Sequence, residues 1–320
     1  MATAFIITMD TEGDNLWARP REVTTRNAAW LPAFQQLAEK FGFQPTWLVN
    51  WEMAHSPACV EFLKDVLARG KGEVGLHPHA WDTPPLESLT QDDMQHHPFL
   101  GEYAEPLRNA KLERMTGILQ ETFQQPLRSH RAGRWGFDGR IARWLRQHGF
   151  IADCSVCPGV DWRSTKGDPN GIGGPDYRRA PHEPYFIDEH DVTKPAFQPP
   201  SDALLEVPMT IGESHFGLTK LIGAAISPRH HWLRPNGRNR AAMIERVNEA
   251  VEDGRAHLMF MLHSSELMPG GSPTFLDEAS ILRLNEDLEA LFAHARACDC
   301  RGQTLGDFAT EWRTATVSAN

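Results

Sequence analysis

The chain has 320 residues and a formal net charge of −10: long enough to bury a large core, and too acidic for general electrostatic attraction to nucleic acid. No run of about eighteen apolar residues occurs, so no membrane-spanning helix is predicted. The N-terminal apolar run is short and leads straight into acidic residues, which predicts a cytoplasmic protein without a signal peptide.

Strand-like and helix-like segments alternate along the chain. FIITMD (5–10) is apolar and ends in an acidic cluster of Asp10, Glu12 and Asp14. TTRNAAWLPAFQQLAEKFG (24–42) reads as a helix with a Thr cap and a Gly stop, and QPTWLVN (44–50) as a strand. SPACVEFLKDVLARG (56–70) has a cap at Ser56, Pro57 at the first helical position and a stop at Gly70; Val60, Leu63, Val66 and Leu67 make one apolar face. GEVGLHPH (72–79) is the third strand and its exit. A helix over 104–124, a strand and loop over 126–133, a helix over 138–149 and a strand over 150–156 follow. Later come ALLEVPMT (203–210), a helix over 238–254, the strand AHLMFMLH (256–263) and a long helix from about Leu276 to Ala297.

About seven strand–helix repeats imply a parallel sheet. No glycine-rich phosphate loop follows the first strand, which removes the best support for a dinucleotide fold. Instead Asp10, Glu12, Asn50, His77, His79, Arg131, Asp153 and His263 all stand where a strand runs out, and in a (β/α) barrel such ends converge on one mouth. A single domain over 1–320 is expected. Residues 158–201 are rich in Pro, Gly, Asp and His, with little periodicity; their aromatics argue for a lid or wall over that mouth. The five cysteines, Cys59, Cys154, Cys157, Cys298 and Cys300, read as reduced, semi-buried hydrophobes rather than a zinc knot, because the second close pair has poor finger spacing.

His77 and His79 lie two apart at a strand exit, on one side of the chain, with Pro78 ending the ladder between them. With a carboxylate from another strand they would make the N/N/O donor set of catalytic zinc; the alternative is a polar loop with two partly buried imidazoles. Arg131 is placed either to keep a neighbouring carboxylate ionised or to make a structural ion pair. His263 leaves the most apolar strand into a polar turn, suited to acid–base work or to a hydrogen-bonded place in the core.

Taken in order, these segments resemble the polysaccharide deacetylase family, the NodB homology domain of carbohydrate esterase family 4, over roughly residues 5–273. TMDTEG resembles the family's first motif, T-F-D-D-G. HPHAW stands where the family has H-S-x-x-H, RAGRWG where it has R-x-P-Y-G, DCSVCPGVDW at its Asp and Trp motif, and LMFMLHSS at its final Leu-His motif. Two positions depart: Trp81 stands at the family's second His, and the first motif reads Asp-Thr-Glu. Such variants resemble a divergent branch found with surface-polysaccharide biosynthesis.

The resemblance implies a deformed (β/α) barrel of about seven parallel strands and one divalent metal ion, usually zinc. It also implies removal of an N-acetyl group from a sugar, here a surface-polysaccharide precursor. On that pattern Glu12, His77 and His79 hold the metal, with Asp14 as the alternative carboxylate. Asp10 is the base, Arg131 keeps it ionised, and His263 protonates the leaving amine. Asp153 is expected to orient His263 or to bind Arg131. Trp81, Trp135, Trp162 and Trp17 are candidates for stacking on sugar, or for core. SPRHHWLRPNGR concentrates Arg229, His230, His231, Arg234 and Arg238, which could meet a phosphate or uronate or form a solvated loop. Two other functions fit the same residues: hydrolysis of a cyclic amide or ureide, and sugar binding without metal or catalysis.

Overall fold

The computed structural model describes residues 2–213 and 230–318. Its elements, in chain order, are β1 (Ala4–Thr11), α1 (Leu31–Lys40), β2 (Thr46–Val49), α2 (Trp51–Ala54), α3 (Pro57–Ala68), β3 (Glu73–Leu76), α4 (Asp93–His96), α5 (Glu105–Phe123), β4 (Ser129–His130), α6 (Gly139–Gln147) and β5 (Ala152–Asp153). There follow β6 (Tyr185–Asp188), β7 (Asp191–Pro195), β8 (Leu205–Glu206), β9 (Ile211–Glu213), β10 (His230–Trp232), α7 (Arg240–Glu252), β11 (His257–His263), α8 (Glu278–Ala297), β12 (Arg301–Gln303) and α9 (Leu305–Ser318).

Strands β11, β1, β2, β3, β4, β5 and β8 lie side by side in that order, each parallel to its neighbour. This is the curled, mostly parallel sheet of a deformed (β/α) barrel, with the expected number of parallel strands. All eight residues of β1 and the first six of β11 are buried. Such central strands are covered on both faces, and so read in the sequence as unbroken apolar runs. Inside the layer of helices Phe5, Phe43, Phe260 and Phe292 pack together, with Phe292 of α8 edge-on to Phe5, Phe43 and Phe260 at 5.6–5.9 Å.

The barrel is deformed between β8 and β11, where no ladder joins the two strands among the described residues. The intervening chain bridges the gap irregularly. Met259 N–H donates to Thr210 Oγ1 (2.8 Å), Leu233 N–H to the Thr210 carbonyl (3.0 Å), and His257 Nε2 bonds the Pro208 carbonyl (2.8 Å).

Residues 158–201 are not all irregular. Over 185–195 they form a β6–β7 hairpin, whose first strand adds antiparallel to β8. The strand over 301–303 and the helix over 305–318 were not expected; β12 is too short to show a period, and it pairs with the lower half of β1. Cys59, Cys154, Cys157 and Cys300 are buried and Cys298 half-buried; burial pushes the thiols of Cys154 and Cys157 up despite the nearby Arg131. Among the described residues no cysteine joins a group that could hold a metal, and no helix is long and apolar enough to cross a membrane.

Candidate metal centre

The site grows out of strand ends. Asp10 and His263 are register partners on β1 and β11, and His77 follows β3 directly; Arg131 follows β4. Parallel neighbours deliver these ends to the same rim. Gly133 presses the loop after β4 onto the loop after β3. A Cβ there would lie 2.5 Å from His79 Cδ2 and 2.7 Å from the Pro78 carbonyl, so only glycine permits the approach.

Glu12, His77 and His79 come together as the residue pattern suggested. The two Nε2 atoms are 3.2 Å apart, and Glu12 Oε2 stands 3.4 Å from that of His79 and 3.8 Å from that of His77. Tetrahedral zinc, with bonds of about 2.0–2.1 Å, spaces its ligands about 3.3–3.4 Å apart. His77 Nδ1–H donates to the Arg131 carbonyl (2.9 Å), which leaves the Nε2 lone pair facing the site. Ser264 fixes the Glu12 backbone: its Oγ accepts from Glu12 N–H and donates to the Glu12 carbonyl, both at 3.0 Å.

The electrostatics favour a cation at this point. Burial disfavours a protonated His77, yet Asp10 and Glu12 outweigh it and raise its pKa. Burial and the neighbouring His77, His97, His263 and Arg134 push His79 well below its ordinary value, so it is neutral, as a ligand must be. Its buried Nδ1 has no hydrogen-bond partner among the described residues and faces Asp82 Oδ2 at 3.9 Å. Burial beside Glu52 pushes the Asp82 carboxyl well up, and burial raises that of Glu52 as well. The donor set and its charges therefore fit a divalent ion.

Asp10 accepts from Arg131 Nη1 at 2.5 Å, and the same guanidinium donates to Thr8 Oγ1 and the Cys154 carbonyl. Burial alone would raise the Asp10 pKa; Arg131, His77 and His263 overcome it and hold Asp10 at about 2. His263 points Nε2 inward, 3.7 Å from Asp10 Oδ2 and 3.8 Å from Glu12 Oε1.

Two sequence expectations are corrected. Asp153 neither orients His263 nor binds Arg131. It takes His130 Nδ1 at 2.5 Å and the Ser155 N–H and hydroxyl, because His130 is its register partner and the two side chains share a face. Asp14 is not free to ligate: Thr24, Arg26 and Asn27 all donate to it. Trp81 lines the site cavity, with its ring stacked on His79 (4.3 Å) and on His97 (4.1 Å).

The partner of His263 is Glu266, which the sequence reading missed. Glu266 Oε2 accepts from His263 N–H (3.0 Å), lies 3.1 Å from Nδ1, and pairs with Arg234 at 3.0 Å. A carboxylate three residues past a strand-end His was the available signal. Among the described residues of the basic stretch, only Arg234 lines the site cavity; His231 lines an adjoining cavity of about 320 Å³ and Arg238 a third. Arg229 and the side chain of His230 lie outside the described residues. The site cavity, of about 390 Å³, is lined by Asp10, Glu12, His77, His79 and His263, and by Trp17, Trp135 and Trp162. Trp135 and Trp162 also wall the adjoining cavity, each packed near Trp232, so residues 158–201 do contribute a wall.

No family model and no curated protein matches the sequence. Solved structures do resemble it. A protein assigned as a glycoside hydrolase/deacetylase from Parabacteroides distasonis aligns with 98% of this chain and 72% of its own, at 13% identity and a TM-score of 0.66. One assigned as a polysaccharide deacetylase from Mycobacterium smegmatis aligns over 98% and 91%, at 16% identity and a TM-score of 0.55. Puue allantoinase aligns over 98% and 90%, at 12% identity and a TM-score of 0.52. At such identities the likeness is one of fold, and the fold is the NodB-like barrel.

Proposed function

We propose that this chain, with the barrel of the polysaccharide deacetylases, is a metal-dependent hydrolase that removes the N-acetyl group of a sugar. One observation carries the reading: a His/His/Glu donor set faces both an Arg-held aspartate and a Glu-held histidine within one cavity. Glu12, His77 and His79 would hold the ion, and zinc suits them best. When bound, it supplies a Lewis acid for the acetamide carbonyl and lowers the pKa of a water.

The chain's own residues do the rest. Asp10, ionised at any working pH, orients the attacking water and accepts its proton. Arg131 keeps that carboxylate charged and aimed. His263 Nε2 delivers a proton to the departing amine, which is a poor leaving group without it. Burial opposes charge on Glu266, but Arg234 and His263 hold it at about 2, so it stays an acceptor for Nδ1–H and steadies the imidazolium. Trp17, Trp135 and Trp162 offer rings to the sugar, and a surface-polysaccharide precursor is the proposed source of that sugar.

Acetate release from a panel of N-acetyl sugars, before and after chelation and zinc return, tests the reading. Release that ignores chelation, or none from any sugar, would overturn it. The fold shared with an allantoinase favours a second reading, hydrolysis of a cyclic amide or ureide by the same groups. Ring opening of such compounds without acetate release would select it.

A further inference from the structure

One wall of the site cavity carries two arginines that no ion pair matches among the described residues. Arg19 and Arg134 both line it. Among the described residues neither makes an ion pair with a carboxylate, whereas Arg234 across the cavity is matched by Glu266. Arg134 donates to the carbonyls of His97 and Lys166, and its guanidinium lies 4.3 Å over the Phe99 ring. Glu102 is not in ion-pair contact with Arg134: its Oε2 accepts from the backbone N–H groups of Phe99 (2.7 Å) and Asp168 (3.1 Å), while its buried Oε1 has no hydrogen-bond partner among the described residues. His97 lines the same wall, only 8% exposed, and its buried Nε2 has no hydrogen-bond partner among the described residues.

The surroundings register this excess. Burial lowers the Arg134 pKa to about 10, with Glu102 opposing and Arg19 adding to the shift. Burial, then Arg134 and Arg19, lower that of His97 to about 4, so at neutral pH it is an uncharged ring with one N–H to give. All of this sits in a chain of net charge −10. The backbone is also committed to the arrangement: Arg19 (φ 50°), His97 (φ 49°), Arg134 (φ 55°) and Trp135 (φ 63°) are non-glycine residues in the left-handed region, and all four line the cavity. Such conformations persist where the surrounding fold holds side chains in a required direction.

We propose that Arg19, Arg134 and His97 form an anion-binding wall, and that the sugar this site takes carries a carboxylate or a phosphate. Arginine's planar fork suits both groups, and the anion would bring the missing counter-charge. The anion then lies against this wall while the apolar face of the sugar lies toward Trp135 and Trp162, which fixes the direction from which the N-acetyl group meets the metal ligands. The substrate class rests on the deacetylase reading; the anion site does not.

The test uses the full chain and its Arg19→Gln, Arg134→Gln and double variants, with melting curves to show that each is folded. Tryptophan fluorescence follows titration with inorganic phosphate and with glucuronate, and kcat/KM is measured for N-acetylglucosamine, its 1-phosphate and an N-acetylated uronic acid. The double variant is expected to bind both anions about tenfold or more weakly, and to lower the ratio of kcat/KM for anionic over neutral substrate by a similar factor. The arm that responds more strongly, phosphate or carboxylate, identifies the group. If Arg134→Gln does not fold, exposed Arg19 carries the test alone. Anion binding that is absent, or the same in wild type and variants, overturns the proposal even if neutral N-acetyl sugars are hydrolysed. Arginine-dependent anion binding without hydrolysis of any N-acetyl sugar sustains the wall and removes the deacetylase reading.

Discussion

The Nε2 atoms of His77 and His79 stand 3.2 Å apart across Pro78, with Trp81 stacked on the second ring. On the proposed reading, the departure at position 81 is compensated within the same loop. An indole stands where the family that the sequence resembles has its second imidazole, a histidine stands at i+2 instead, and the indole packs flat against it.

Loss of this pair should be read first in metal content. His79→Ala is expected to leave a folded protein that retains little zinc and loses nearly all hydrolysis. Trp81→Ala keeps all three donors but frees the His79 ring, and should weaken zinc affinity about 10- to 100-fold, as loss of an orienting neighbour does. Elemental analysis after dialysis against a weak chelator measures both. Undiminished zinc in His79→Ala would exclude it as a ligand.

The acid role of His263 should appear as a leaving-group effect. His263→Ala is expected to lose about 10²–10⁴-fold in kcat on an N-acetyl sugar, and much less on an acetate ester with a good leaving group. Glu266→Gln should fall between wild type and His263→Ala and move the pH–rate profile. Equal losses on amide and ester would assign His263 a structural role.

Asp153 should prove dispensable for chemistry but not for stability. Asp153→Asn disturbs the buried acceptor of His130 and its neighbour Glu206, whose carboxyl pKa burial and Asp153 push well up. A destabilisation of about 3 kcal/mol is expected, visible in denaturant melts. Folded Asp153→Asn should keep a kcat near wild type, and a collapse of kcat with stability intact would return Asp153 to the site.

Acid unfolding should depend on Glu266. Its folded pKa is about 2 against an ordinary 4.5. A carboxyl depressed in the folded state adds stability that is present above the unfolded pKa and lost as pH falls through the folded one. The window here is about pH 4.5 down to about pH 2, and the contribution at neutral pH is about 3 kcal/mol. The difference between urea melts of wild type and Glu266→Gln should shrink by more than half between pH 6 and pH 3. An unchanged difference would show that Glu266 is not the group titrating.

The sequence by itself determined the seven parallel strands and the residues at their ends. The physical reason is local: strands buried on both faces must be continuously apolar, and side chains that leave such a strand stand at the rim whatever the rest of the chain does. It also marked the candidate donor set, because His77 and His79 are neighbours in the chain and Asp10 and Glu12 follow the first strand. What lay beyond it were facts about which side chains meet across elements. That Asp153 serves His130, that Glu266 rather than Asp153 holds His263, and that Asp14 pins the loop at 24–27 all depend on register and rotamer between distant segments. The cationic wall is of the same kind. Arg19 and Arg134 are 115 positions apart by their numbers, and nothing local marks either as facing the other. Only the folded chain, by turning both through left-handed backbone into one cavity, brings them together with no ion pair to either among the described residues.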